Sequence, residues 1–507
     1  MSLSLLPAHN AKAVPRENVP LLSLADFRRA VVGAADRGAR VAALFGSGDH
    51  SPGQVELFVV LADDEQGRLE LCSTLLEGDS YPAMTPECPE VHLFERELAE
   101  QWGIVPAGHP WLKPVRFEPP RRQGADPFGF SSKAPIAGVC DFYRVDGEEI
   151  HEVAVGPVHA GVIEPGHFRF QCYGEQVLHL EVSLGYQHRG VERALLGGPT
   201  PRSIHYAETL AGDTTVAHAT AYCHLIEALS GAAVSARAHA IRGIALELER
   251  LANHTGDLGA LAGDVGYQPT ASFCGRLRGD FLNLTAELCG SRFGRSLVRP
   301  GGVAFDLDAQ RAARIRERLD AAVREVDDAA ALLWSTASVQ ARFEETGTVA
   351  TDVAERLGMV GPAARASGLS RDARRDQPAG IFRFKQIPVP VLSSGDVYAR
   401  AQIRLLEIER SAVFIRELLG SLPSGASRSP VTPLAPMRLC VSLVEGWRGE
   451  VCHVALTDGK GRFSAYKVID PSFHNWTGVA MALREQQISD FPLCNKSFNL
   501  SYCGHDL

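Results

Sequence analysis

The sequence predicts an α+β N-terminal domain followed by a mainly α-helical bundle domain with small flanking β elements. Three observations lead there. Residues 22–117 mix one short helical stretch with alternating apolar runs of the kind that form strands. Between residues 205 and 422, long stretches carry helical character. Two hairpin-like units, 167–184 and 439–469, bracket that helical part. The chain therefore divides into a domain 1–120, a linker 121–150 and a larger domain 151–507.

In order along the chain, residues 25–37 read as a helix, and 55–61 and 69–73 as strands. The segment FERELAEQWGIVPAGHPWLKPVRF, residues 94–117, reads as a short amphipathic helix, a stop at Gly103 and a turn at Gly108-His109-Pro110. Residues 118–139 are rich in Pro, Gly and Ser, the composition of a linker. In the first hairpin, 167–172 and 176–184 flank a Tyr173-Gly174-Glu175 turn. Helices are expected over 205–230, 241–262, 275–291, 306–337 and 396–422. In the second of these, Ile241, Ile244, Leu248, Leu251, Leu258 and Leu261 share a face, while Arg242, Glu247, Glu249 and Arg250 fall largely elsewhere. A loop at 423–436 precedes the second hairpin, which turns at Asp458-Gly459-Lys460-Gly461.

Composition removes several function classes. A net charge of -9 over 507 residues gives no basic field, so nucleic acid is not an expected partner. The first twenty residues lack the pattern of a signal peptide, and no run approaches the eighteen apolar residues of a membrane span. A cytoplasmic protein is expected, one that reaches a membrane only by docking to other subunits. Eleven cysteines with no CxxC pair read as reduced, mostly buried thiols. No GxGxxG follows a strand and no phosphate-binding GxxxxGK[ST] occurs, so direct NAD or other nucleotide binding has no support. No CxxCxxC run could hold an iron-sulfur cluster.

Several segments carry a resemblance. Residues 94–117 resemble the signature of the 30 kDa-type subunit of complex I. The segments GPVHAGVIEPGHFRF (156–170), GEQVLHLEVSLGYQHRGVE (174–192), ERLANHTGD (249–257) and residues 441–476 resemble the 49 kDa-type subunit and the large subunit of formate hydrogenlyase-type, group 4 nickel-iron hydrogenases. Both parts are fused in one chain in the formate hydrogenlyase type. The resemblance implies a peripheral-arm subunit of a membrane-bound, ion-translocating oxidoreductase on the cytoplasmic face of the inner membrane. It implies as partners a small 20 kDa-type subunit with a 4Fe-4S cluster, a ferredoxin-like subunit and antiporter-like membrane subunits.

The same resemblance implies four cysteines holding nickel and iron, because soft thiolates suit those metals. Here Ala211 and Thr214 stand at the first pair, and Ser501 and Gly504 at the second. Cys503 and Cys494 are close enough in sequence to restore one ligand at most. No metal is expected. The chain stops at Leu507, soon after this motif, without the extension that metal-loaded relatives often lose after nickel insertion. The quinone-touching tyrosine of the 49 kDa type aligns with Gly212, and the turn at 160–165 departs from the quinone-binding pattern.

Residue by residue, the resemblance makes Glu164 a candidate proton carrier, the alternative being a solvated turn residue or the partner of an arginine. Asp213, in the former ligand loop, is either functional or a helix cap. Arg448 matches the arginine beside the iron ligands and is expected to pair with Asp213 or Glu164 if the metal is gone. His159, His188 and Arg189 face the cavity or the partner cluster, or serve as scaffold. Asn253 and His254 read as satisfied core groups. Two functions remain open: a redox subunit passing electrons from the partner cluster, with a quinone as candidate acceptor, and a structural or coupling subunit without redox chemistry; a third, an active hydrogen-evolving hydrogenase, is the default of the resemblance and is contradicted by the residues at the ligand positions. A polar, enclosed pocket near Glu164, Gly212 and Arg448 would favour the first; filling by Tyr502 and Leu500 would favour the second.

Overall fold

The structure, a computed structural model, describes residues 4–48, 54–122, 126–129, 135–159 and 163–507. In the N-terminal part, strands Arg40–Ser47, Val55–Asp63 and Arg68–Leu76 form an antiparallel meander. Leu6–Ala8 pairs antiparallel and Leu21–Leu22 parallel to its last strand. Helix Leu24–Ala35 begins where the Ser23 hydroxyl accepts from the Asp26 N–H, and it buries Phe27, Ala30, Val31 and Ala34 against the sheet. Helix His92–Trp102 ends on Gly103 at φ 65°, the predicted stop.

Strand Val55–Asp63 is buried on both faces up to its last residue. The reason lies at the other end of the chain. Strands Arg438–Gly446, Gly449–Thr457 and Phe463–Ile469 form a second antiparallel sheet, and its Leu439, Val441, Val454 and Leu456 share one core with Phe58 and Val59. Strand Ala13–Pro15 adds to the edge of this C-terminal sheet by pairing with Arg438–Gly446.

The second hairpin is thus a three-stranded unit. Its first reversal, Trp447-Arg448 between Gly446 and Gly449, escaped the sequence reading, although Gly449 sits at φ 136°. The first hairpin is also larger than expected: Ile150–Val155, starting at the edge of the supposed linker, pairs with His167–Tyr173, which pairs with Gln176–Ser183. Other parts of that linker, and residues 160–162 of the reshaped turn, lie outside the described residues.

The bundle consists of helices Thr215–Ser230, Ala236–Asp264, Gln268–Cys289, Ala309–Trp334 and Val397–Gly420. The expected helix 205–230 is broken into Ser203–Glu208 and Thr215–Ser230, leaving 209–214 as a loop. Ala236–Asp264 packs against helices on several sides, and Arg242, Glu247, Glu249 and Arg250 are buried with its apolar residues. Such burial requires partners. Arg242 donates to both oxygens of Glu227 at 3.0 and 2.6 Å, and Arg250 donates to Glu247 at 3.0 Å and Glu407 at 3.1 Å. Among the described residues, no helix is long and apolar enough to cross a membrane. All eleven cysteines are unpaired, and nine of them are buried.

Candidate functional site

Three segments converge at one place: loop 209–214, the Trp447-Arg448 hairpin tip and the C-terminal residues 499–507. Arg189 joins the first to the third, donating to the carbonyls of Thr209 at 2.6 Å, Leu210 at 2.9 Å and Cys503 at 3.0 Å. His188 Nδ1 lies 2.7 Å from the Asp506 carbonyl and its Nε2 3.5 Å from Glu118.

At the centre, Arg448 donates from Nη1 and Nη2 to the two oxygens of Asp213, at 2.5 and 2.8 Å. Nη1 also reaches Thr214 Oγ1 at 3.1 Å, and Nε donates to the Asn499 carbonyl at 2.5 Å. The guanidinium lies 3.9 Å above the Trp447 ring centroid. The Asp213 carbonyl accepts from Trp447 Nε1 at 2.9 Å and Asn253 Nδ2 at 3.0 Å, so the loop is fixed from both sides. Burial alone would raise the Asp213 carboxyl, but the Arg448 charge overrides it and holds the group below its usual range.

The capping reading of Asp213 is corrected here. Helix Thr215–Ser230 has no side-chain cap of its own. Its free amides at Val216 and Ala217 are satisfied instead by Glu249 of the neighbouring helix, at 2.7 and 3.3 Å. Burial pushes the Glu249 carboxyl up to about 8, so it meets those amides in its neutral form at neutral pH. Sequence reasoning missed this role, because a cap supplied by another helix leaves no local spacing signal.

Ala211 and Thr214 are wholly buried and Ser501 nearly so. Ser501 caps the last helix, Tyr502–Asp506, its Oγ accepting from the Gly504 N–H at 2.9 Å. A Cβ built on Gly504 would lie 2.6 Å from Asp470 Oδ2 and 2.9 Å from Ser501 Oγ. Asp470 is itself held by His218 Nε2 at 3.1 Å, while His218 Nδ1 lies 3.1 Å from His453 Nε2 and His453 Nδ1 2.8 Å from the Tyr466 hydroxyl. Tyr502 and Leu500 are buried, and Tyr502 packs edge-on against Trp476 with ring centroids 4.9 Å apart.

Glu164 is half-buried at the edge of this site and accepts from the Tyr502 N–H at 3.4 Å. Among the described residues Arg448 pairs with Asp213 and not with Glu164. Burial, helped by Glu164, pushes the Cys503 thiol up to about 11, which keeps it protonated. Cys494 stands apart, packed where a side chain on Gly347 would reach. Gly212 is exposed, and a side chain there would meet nothing within 4 Å. His159 is half-buried near Phe168, and its Nε2 has no partner among the described residues. His254 Nε2 lies 2.8 Å from Glu407, while its Nδ1 has no partner among the described residues; Asn253 is satisfied through its Nδ2.

Comparison with known proteins extends the resemblance. The family model described as the respiratory-chain NADH dehydrogenase, 49 Kd subunit, matches residues 264–438, a span containing none of the four former ligand positions. The chain is 27% identical to formate hydrogenlyase subunit 5 of Escherichia coli, over 93% of this chain and 85% of that protein. It is 28% identical to the carbon monoxide-induced hydrogenase of Rhodospirillum rubrum, over 69% of this chain and 97% of that one. It is 28% identical to NADH-quinone oxidoreductase subunit 4 of Thermus thermophilus, over 68% of this chain and 90% of that one. The chain resembles group 4 hydrogenase-type large subunits along nearly its whole length.

Proposed function

We propose that this chain is the large subunit of a membrane-bound, ion-translocating complex I-like oxidoreductase, that it holds no nickel-iron centre, and that it serves the complex in a structural and coupling role. The carrying observation is the Arg448–Asp213 pair. A bidentate ion pair stands beside Thr214, where the resemblance places a thiolate, and Asp470 fills the space that a Gly504 side chain would need. Alanine and glycine cannot ligate, and neutral hydroxyls are poor substitutes for bridging thiolates. The residues present do not fit the metal pair. Buried Tyr502 and Leu500 support the coupling reading over a substrate cavity at this point.

In this reading the N-terminal part corresponds to a 30 kDa-type domain, and the partners are a small iron-sulfur subunit with a 4Fe-4S cluster, a ferredoxin-like subunit and antiporter-like membrane subunits. A second reading, a redox role in which the partner's electrons pass to a quinone, has one observation in its favour: the open space beside Gly212. Metal analysis of the purified complex, with infrared spectroscopy for iron-bound CO and cyanide, tests the proposal. Iron without nickel and without those bands is expected; nickel near one per chain together with the bands would overturn it.

A further inference from the structure

Away from the Arg448 site, two cavities meet end to end. The outer one, about 570 Å³, opens between the start of the chain at Lys12 and the segment carrying Arg383. The inner one, about 30 Å³, is lined by Thr220, His224, His239, Arg242, Arg374 and Glu445. They share His224, His239, Ala379 and Gly380, which therefore form a neck. Gly380, at φ 58°, makes the neck possible: a Cβ there would come within 3.3 Å of His239 Nδ1 and 3.7 Å of His224 Nε2.

The inner chamber has room for two or three waters, since about 10–15 Å³ of such volume holds one. It also has unmet hydrogen-bonding demand. Thr220 Oγ1 and His239 Nδ1 both line it, and neither has a partner among the described residues. Buried polar atoms are left without partners rarely, and an ordered water is the usual remedy. His224 Nδ1 is engaged by Ser442 Oγ at 3.4 Å, which leaves its Nε2 toward the neck.

The chamber ends on a buried carboxylate that belongs to a larger network. Glu445 accepts from Arg365 Nη1 at 2.8 Å and from the Ala373 N–H at 3.0 Å. Arg365 is shared with Glu407 at 2.6 Å, Arg374 with Asp372 at 2.6 Å and Glu247 at 3.1 Å, and Arg250 with Glu247 and Glu407. Four carboxylates thus face three guanidinium groups, one negative charge in excess. Arg242, on the chamber wall, is already paired with Glu227, and His254 beside Glu407 is held neutral by burial. A proton on one carboxylate would balance the network, and Glu445 is the one that the chamber reaches.

We infer that the two cavities form a water-filled proton route, in which His239, His224 and Thr220 order the chamber water and Glu445 binds the arriving proton. Binding forms one O–H bond on the Glu445 carboxylate, takes the proton from bulk water and moves no electrons. Burial, followed by the nearby Asp372 charge, pushes this carboxyl up to about 7, in accord with proton exchange near neutrality. Burial holds His224 and His239 well down, to about 3 and 4, so they act as neutral donors and acceptors rather than competing for the charge. Glu445 lies two residues before Trp447, and its carbonyl accepts from Arg250 at 2.8 Å, so its charge state is felt at the root of the Arg448 hairpin.

Infrared difference spectroscopy on the full-length chain, stepped in pH across neutrality, tests the route. The protonated-carboxyl carbonyl stretch should grow as pH falls, and Glu445→Gln should remove one component of it while those of Glu100 and Glu249 remain. Thr220→Val, nearly the same shape without the hydroxyl, should leave the titration endpoint in place but slow its approach after a pH jump severalfold. An unchanged band in Glu445→Gln, no titrating carboxyl near neutrality in the wild type, or an unaltered rate in Thr220→Val would each overturn the inference. Should Glu445→Gln fail to fold, the Thr220→Val kinetics still decide.

Discussion

Arg448 and Asp213 meet through two parallel hydrogen bonds of 2.5 and 2.8 Å, with the guanidinium almost wholly buried and the carboxylate partly open to solvent. Removing one member of such a pair strands the other charge. Asp213→Ala should therefore destabilise the fold by about 3 kcal/mol, whereas removing both charges in Asp213→Leu/Arg448→Met should restore much of that loss. Urea denaturation of Asp213→Leu, Arg448→Met and the double variant forms the cycle. Additive losses would mean that the pair is not coupled.

Gly504 is required by Asp470 and not by backbone conformation, since a Cβ would lie 2.6 Å from Oδ2. Gly504→Ala is expected to cost about 2 kcal/mol through overpacking. For the same reason, putting cysteine at 211, 214, 501 and 504 together should not restore nickel binding. Metal content of the quadruple variant is the readout, and stoichiometric nickel would refute the expectation.

Glu249 holds the start of helix Thr215–Ser230 from outside it. Glu249→Ala should cost about 1 kcal/mol, the usual scale of a lost cap. Amide hydrogen exchange at Val216 and Ala217 should accelerate first, while amides at the far end of the helix keep their protection.

Stability should fall as pH rises from about 6.5 to 8. Burial pushes Glu100 and Glu249 up to about 8, so over this range the unfolded chain has released protons that the folded chain still holds. Each such group contributes a slope of about 1.4 kcal/mol per pH unit. Below about 6.5 the buried, neutral His92, His224 and His474 act in the opposite sense, because only their unfolded forms take up protons there. A urea midpoint that peaks near pH 6.5 and a shallower alkaline slope in Glu100→Gln are expected. A midpoint still rising at pH 8 would contradict this account.

Elements with a local signature were legible. Gly103 marked a helix boundary, the Tyr173-Gly174-Glu175 turn marked a hairpin, and the long helices followed their periodicity. The expectation that Arg448 would turn to Asp213 or Glu164 was met by Asp213. What stayed hidden depends on residues distant in sequence. The burial of Glu247 and Arg250 rests on Glu407, Arg374 and Glu445, which three other segments supply. Glu249 as a cap and Asp470 as the occupant beside Gly504 are tertiary facts of the same kind.

The pairing of Ala13–Pro15 with Arg438–Gly446 also sets an order of events during synthesis. A ribosome must make residue 438 before the strand at residue 15 finds its neighbour, so this early strand waits far longer than Leu6–Ala8, whose partner ends at Leu76. The entropy of closing so long a loop grows only with the logarithm of its length, but pairings between distant residues form slowly. Until the last sheet emerges, the face of strand Val55–Asp63 turned away from helix Leu24–Ala35 has no opposing layer, and the nascent N-terminal part presents an uncovered apolar surface to whatever attends it.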